Sequence, residues 1–276
     1  MKIPALQRWF STNVGVASAI VIFNAILIGF LWVSVFARVQ AERQDVMRAA
    51  TERNDNLAVA FEQYAGRIIE SADAQLQQLI RAQAGRGGSM GLASFITDFT
   101  INDKVIIGLV LADEHGNAET SAYLGRSVKP INVRDREHFR IHIGQDSGKA
   151  FIGKPVVGRP AGQWGVPVTR RINKADGTFG GVAMALIEPG RFTDVLHDAK
   201  LRPLDIISLV GLDGITRARL KGTTASTGED IGKSPLFAEQ ARRPVGNYSS
   251  IGQLDNVPRI FSYRTLPDYQ VMVTVG

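Results

Sequence analysis

The chain has 276 residues, 45% of them hydrophobic and 21% charged, with 28 glycines, 11 prolines and a formal net charge of +6. That is the composition of a chain that folds, not of a disordered, collagen-like or disulfide-scaffold protein. Cysteine is absent, which excludes disulfides, thiolate nucleophiles and cysteine-ligated zinc or iron–sulfur centres, and the scattered arginines describe an ordinary basic surface rather than a nucleic-acid interface.

Residues 14–36 (VGVASAIVIFNAILIGFLWVSVF) form a stretch of 23 residues without a charge. As a helix it spans about 34 Å, enough to cross a bilayer. Trp9 and Trp32 stand near its ends, where interfacial aromatics belong. The stretch is too long for the apolar core of a cleaved signal, and Ser34-Val35-Phe36-Ala37-Arg38 is a poor cleavage site, so an uncleaved anchor is expected. Lys2 and Arg8 precede it and Arg38, Arg43, Arg48 and Arg53 follow it, so charge alone does not choose an orientation.

No proline interrupts residues 38–84, and the composition predicts one long helix. Leu57, Phe61, Tyr64, Ile68, Ala72, Leu76 and Leu79 recur at spacings of three and four, which makes a single apolar stripe. The stripe fits packing on the helix's own domain, pairing with a second copy, or both. Gly85-Arg86-Gly87-Gly88-Ser89 ends the helix.

Strand signals follow at 105–112, 118–123, 150–157, 163–172 and 180–187, with turns at Asp113–Asn117, Gly158–Gly162 and Asn173–Gly177. A short helix is expected from Pro189 to about Ala199. Ile106-Ile107-Gly108-Leu109-Val110 then has a counterpart 100 residues on, Ile206-Ile207-Ser208-Leu209-Val210, again with an Asp/Gly turn and a strand behind it. The pair suggests an internal duplication, against the alternative of two unrelated apolar strands. The second unit closes with strands at 259–264 and 269–275. The fold class is α+β: an N-terminal transmembrane helix, a long stalk helix, and two lobes with antiparallel sheets.

This order of parts resembles the double Cache sensor region of bacterial transmembrane receptors. The sharpest local signature is Asp135-Arg136-Glu137-His138-Phe139-Arg140-Ile141-His142, similar to the D-R-D-Y-F-x-x-H run that opens the pocket helix of the distal lobe. Phe151-Ile152-Gly153-Lys154-Pro155, the run from Trp164 to Ile172, and Gly180-Gly181-Val182-Ala183 resemble strands of the same lobe. The version is most like the input regions of membrane-bound diguanylate cyclases with GGDEF output and of sensor histidine kinases. The resemblance implies a cytoplasmic N-terminus at 1–13, a transmembrane helix at 14–36 and a stalk at 38–84. It further implies a membrane-distal PAS-like lobe at 90–199 with the ligand pocket, a membrane-proximal lobe at 200–276, and an extracytoplasmic position for residues 38–276, anchored in the inner membrane. A homodimer through the stalk helix is expected. The second membrane helix and cytoplasmic output that normally follow are not among these residues.

Arg136 opens a short helix with Asp135 as its expected N-cap. A guanidinium there can grip a carboxylate through two parallel hydrogen bonds, helped by helix N–H groups. Helical spacing sets His138 and His142 on one face and Arg136 and Arg140 on another. On the later strand Trp164, Val166, Val168 and Arg170 share a face by alternation. The expected ligand-binding set is Arg136, His138, Phe139, His142, Trp164, Arg170 and Tyr123. In the amino-acid-binding branch of the family the helix reads R-x-W-Y and a late strand carries an Asp for the ligand's ammonium group. Here His138 and Phe139 replace the two aromatics and Leu186 takes the place of the Asp. Free amino acids are therefore disfavoured, and a carboxylate or other small anion is the expected ligand.

Catalytic motifs do not hold up. Gly87-Gly88-Ser89-Met90-Gly91 fits G-x-S-x-G but follows a polar helix end instead of a buried strand. The loop from Gly228 to Gly232-Lys233-Ser234 is one residue short of a P-loop. His138 and His142 lie at i, i+4 without an H-E-x-x-H. The expectation is a non-enzymatic sensor with no cofactor and no metal. The alternative is an anchored extracytoplasmic hydrolase working through the Arg/His cluster.

Overall fold

The computed structural model describes residues 4–85, 105–123, 126–127, 131–144, 146–158, 162–194 and 201–276. Helix α1 runs Pro4–Gly85, and the chain divides into a unit at 1–52 and a unit at 53–276. In the first unit the apolar side chains of the uncharged stretch lie bare; Trp32 is 70% exposed, and Phe23, Ile26 and Phe30 are exposed alongside it. Asn24 sits among them and donates its amide to the Ile20 carbonyl at 2.8 Å, so the helix satisfies its own polar side chain. The helix is long and apolar enough to cross a membrane. Apolar surface of this extent needs a cover, and this fits a membrane-anchored protein.

The second unit has the expected α+β architecture. Its first sheet is built from β1 (Ile106–Asp113), β2 (Ala118–Tyr123), β3 (Arg126–Ser127), β4 (Phe151–Ile152), β5 (Val156–Val157), β6 (Trp164–Asn173) and β7 (Phe179–Ile187). The strand order is β3-β2-β1-β7-β6-β4, with β5 on β6. The single strand expected at 150–157 is split in two by Gly153-Lys154-Pro155, since Pro155 has no N–H to give a ladder. A 3-10 turn, Pro189–Phe192, stands where a longer helix was expected; residues 195–200 of that expectation lie outside the described residues. The expected end of α1 at Gly85–Ser89 also lies outside them beyond Gly85. The second sheet comprises β8 (Ile206–Gly211), β9 (Thr216–Lys221), β10 (Thr224–Ser226), β11 (Val245–Ile251), β12 (Pro258–Leu266) and β13 (Val271–Val275), in the order β10-β9-β8-β13-β12-β11. Helix α2 (Glu137–Gly144) belongs to the first lobe and α3 (Leu236–Arg242) to the second.

One core runs through both lobes. Ala58, Phe61, Ala65, Ile68, Ile69, Ala72, Leu76 and Leu79 of α1 are buried against Leu109, Leu111, Val166 and Val168 of the first sheet and Ile207, Leu209, Ala218 and Val273 of the second. The predicted stripe is therefore packed on its own domain, shifted slightly. Ala58 and Ala65 hold its centre, where their small side chains let the sheets approach the helix, while Leu57 and Tyr64 flank it partly buried. Arg53 pairs with Asp205 at 2.9 Å, and Arg264 pairs with Glu62.

The two lobes repeat one another in detail, at an offset of 98 rather than 100. The Gly116 carbonyl accepts from Val133 N–H, and the Gly214 carbonyl accepts from Ile231 N–H. Gly116 and Gly214 both have positive φ, +81° and +85°. Isolated bridges join Asn117 to Asn132 and Ile215 to Asp230. Both opening hairpins carry their bulge at the same place, after Leu111 and after Leu209. The offset of 100 read from the apolar runs keeps the inward phase, because both offsets are even, but it misaligns every partner by two residues.

Candidate functional site

The face of the first sheet turned away from α1 carries Val110, Ala112, Val182, Met184, Leu186, Pro167, Thr169 and Arg171; cross-strand register pairs Val110 with Met184 and Met184 with Thr169. Helix α2 packs on this face. The Arg136 carbonyl accepts from Phe139 N–H at 3.1 Å and Arg140 N–H at 3.0 Å, so Arg136 itself occupies the N-cap position, one residue later than the expected Asp135.

Three α2 side chains point into the lobe. Phe139 is fully buried with Ala112, Val133 and Val182, edge-on to Phe179 with ring centroids 5.6 Å apart. His138 is buried beside Gly153; a Cβ at Gly153 would lie 3.1 Å from His138 Cβ and 2.8 Å from Pro167 Cγ, so only glycine lets the helix sit this close. His142 places Nε2 2.9 Å from Thr169 Oγ1. Burial, and then the Arg171 guanidinium, push its pKa from the ordinary 6.5 down to about 4, against a weaker pull from Asp146. The ring is neutral at pH 7.

Arg171 fastens the far end of α2. Its guanidinium donates to the His142 carbonyl, to the Ile143 carbonyl at 3.3 Å and to Asn173 Oδ1 at 2.6 Å, and it lies 5.0 Å over the Phe179 ring. The last carbonyls of a helix lack partners, and a cation is the fitting one. Arg136, half-buried at the other end of α2, has no side-chain hydrogen bond or ion pair among the described residues. Leu186 is buried with Ile107 and Val156. It leans across Gly165, where a Cβ would stand 2.3 Å from Leu186 Cγ. The floor of this face is therefore apolar at that position.

The structure sets His138, Phe139 and His142 on the inner side of α2, with Arg136 at its start, and separates them from Trp164 and Arg170. Trp164, Val166, Val168 and Arg170 do share one face of β6, but it is the face toward α1. Val166 and Val168 are in the common core. Arg170 pairs with Asp73 of α1 at 3.2 Å and donates twice to the Gly148 carbonyl at 3.0 Å. Trp164 is about half exposed and lines a groove with Pro189, Thr193, Ala218 and Ser226. Tyr123 ends β2 opposite Gly108; its side chain lies outside the described residues. Sequence reasoning missed Thr169 and Arg171, the residues on the α2 side, although two adjacent arginines on a strand must point to opposite faces.

Among the described residues no three His, Asp or Glu side chains gather as a metal site. The hydroxyl–imidazole pair of Thr169 with His142 is sealed, with 0% and 3% of the two residues exposed. It pins α2 to β6 and offers no nucleophile to a substrate.

No family model matches this chain, and no curated protein matches it. Solved structures do. The extracellular domain of a candidate histidine kinase, rpHK1S-Z16, superposes with a TM-score of 0.75 at 25% identity, over 83% of this chain and 94% of that one. The extracellular domain of a second one, mmHK1S-Z3, gives 0.57 at 11% identity, over 86% of this chain and 93% of that one. The ligand-binding domain of the Pseudomonas fluorescens chemoreceptor CtaA, in complex with L-leucine, gives 0.55 at 14% identity, over 86% and 96%. The last two share the fold alone. Two are thus extracellular domains of candidate histidine kinases and the third is the ligand-binding domain of a chemoreceptor.

Proposed function

We propose, for a chain that has the double Cache sensor fold, that it is the input region of a membrane-anchored bacterial receptor and holds its ligand beside α2 of the first lobe. The region senses and does not catalyse. Residues 14–36 anchor it in the inner membrane, residues 38–276 lie on the extracytoplasmic side, and the ligand state of the first lobe passes along α1 to a cytoplasmic output such as a histidine kinase or a diguanylate cyclase. The stripe at 58–79 is already spent on the protein's own lobes, so a homodimer through α1 uses the opposite side of that helix.

Arg136 carries this reading. It is a half-buried guanidinium at the start of α2 with no side-chain hydrogen bond or ion pair among the described residues, on the helix that carries the neutral His142 ring. Such a group grips a carboxylate through two parallel bonds. Leu186 leaves no carboxylate on that floor to receive an ammonium group, so a carboxylate without an α-amino group is the favoured ligand, in contrast to the amino acids in several structural neighbours.

The test is thermal unfolding of the full chain in detergent against a panel of small carboxylates and free amino acids, with Arg136→Ala in parallel. A ligand at about a hundred times its dissociation constant adds about 2.7 kcal/mol of stability. A carboxylate is expected to raise the midpoint of the wild type, and Arg136→Ala to weaken it at least about tenfold, the loss of a charge-assisted pair. Hits unaffected by Arg136→Ala would move the site elsewhere.

A further inference from the structure

The face of the second sheet turned away from α1 differs from its counterpart in the first lobe: it is polar at its centre. Arg219 of β9, Ser208 of β8 and Thr274 of β13 stand directly opposite one another in one row across the sheet. Above that row lies a cavity of about 50 Å³, roofed by Leu236 of α3, Tyr248 of β11 and Leu254 of the loop that follows.

Two groups on this row are incompletely partnered. Thr274 is 4% exposed, and its Oγ1 is buried with no hydrogen-bond partner. A hydroxyl in that condition carries its full desolvation cost. The Arg219 side chain is 13% exposed, and its one charged partner among the described residues is Glu229, at 4.0 Å. Glu229 is itself engaged by the Thr216 hydroxyl. Asp255, at the cavity edge, is saturated. Arg259 holds it with bonds of 2.9 and 2.6 Å, and Lys221 lies at 2.7 Å. Asp255 is thus taken by two cations, while Arg219 has only Glu229 among the described residues, at the long distance of 4.0 Å. The guanidinium can only donate and the hydroxyl can donate to the same group, so an anionic acceptor in the cavity satisfies both.

We propose that the second lobe carries its own small-anion site, in which a short carboxylate such as acetate or formate lies between the Arg219 guanidinium and the hydroxyls of Ser208 and Thr274. The volume admits a molecule of about three or four non-hydrogen atoms. A carboxylate matches the planar fork of a guanidinium with one oxygen pair and accepts from both hydroxyls, which a spherical ion does not. The site is independent of Arg136, which belongs to the other lobe.

Calorimetric titration of the full chain in detergent with sodium acetate, at ionic strength held constant with sodium chloride, tests this. One molecule of acetate per chain is expected to bind. Arg219→Gln is expected to weaken it at least tenfold, and Ile141→Ala, exposed on α2 of the other lobe, to leave it unchanged. Thr274→Val does two things at once: it weakens acetate about fivefold and raises the melting point of the acetate-free protein, because the unpartnered hydroxyl is gone. If Arg219→Gln does not fold, Thr274→Val carries the test alone. Absence of acetate binding in the wild type overturns the proposal. So does acetate binding that Arg136→Ala abolishes and the second-lobe variants leave intact.

Discussion

Phe139→Ala is expected to cost about 3–5 kcal/mol of unfolding free energy and to remove the response to ligand at the same time. The size follows from the site: the ring is fully buried, closes a cluster with Ala112, Val133 and Val182, and meets Phe179 edge-on. Truncation leaves a cavity that β1 and β7 cannot fill, because both are held in a sheet paired on both sides. The functional consequence follows from the geometry. Phe139 is the one apolar anchor in the middle of α2, between Arg136 at its start and Arg171 at its end. Without it the helix keeps only its polar ties, and Arg136 loses its fixed place. Denaturant unfolding of the full chain in detergent measures the first effect, with Ile141→Ala as the control. That neighbour is exposed on the same helix and is expected to change stability by no more than about 0.5 kcal/mol. Equal costs for the two variants would mean that α2 is not docked as described.

Acidification from pH 7 to 4.5 is expected to take about 2 kcal/mol from the folded state through His142 alone. The ring's pKa falls from 6.5 to about 4 on folding, so the folded state resists a proton that the unfolded chain accepts. The stability is fully present above pH 6.5 and is lost progressively as pH falls toward 4, where the folded ring titrates as well. Arg171 and Arg170 oppose the imidazolium and Asp146 favours it, with burial the largest cause. Protonation also places a third positive charge beside two arginines at the end of α2, the end nearest the Thr169 contact. Carboxylates elsewhere contribute their own acid sensitivity, so the measured quantity is the difference between wild type and His142→Gln across the range. A difference that stays flat from pH 7 to 4.5 would contradict the burial of this ring.

Much of the architecture was legible because it rests on periodicity and punctuation. The apolar runs at 106–112 and 206–210, the Gly116 and Gly214 turns and the proline-free helix each impose one local structure, and the duplicated order of parts followed from them. What was not legible is direction. The alternation of Trp164, Val166, Val168 and Arg170 correctly groups them on one face. Nothing in the strand says whether that face looks at α1 or α2, because both sides of β6 are covered and both accept apolar residues. Arg170 and Arg171 are adjacent and chemically identical, yet one is tied to Asp73 and the other caps α2. The same limit explains α1: larger Leu57 and Tyr64 drew the stripe, while the tightest contacts belong to Ala58 and Ala65, which a hydrophobicity pattern underweights. The relative placement of His138, Phe139 and His142 was legible because they lie within one helix, Arg136 standing at its start, where spacing of three and four fixes faces without help from the rest of the fold.

The most direct measurement of the central claim, a ligand site beside α2, uses the histidines. The chain has four, and two of them, His138 and His142, sit buried on α2 while His115 lies in the β1–β2 turn. Imidazole resonances of the full chain in detergent should be recorded with and without the carboxylate whose thermal shift Arg136→Ala removes. The His138 and His142 signals are expected to move and the His115 signal to stay in place. Stabilisation that leaves both α2 imidazoles unmoved would contradict that claim.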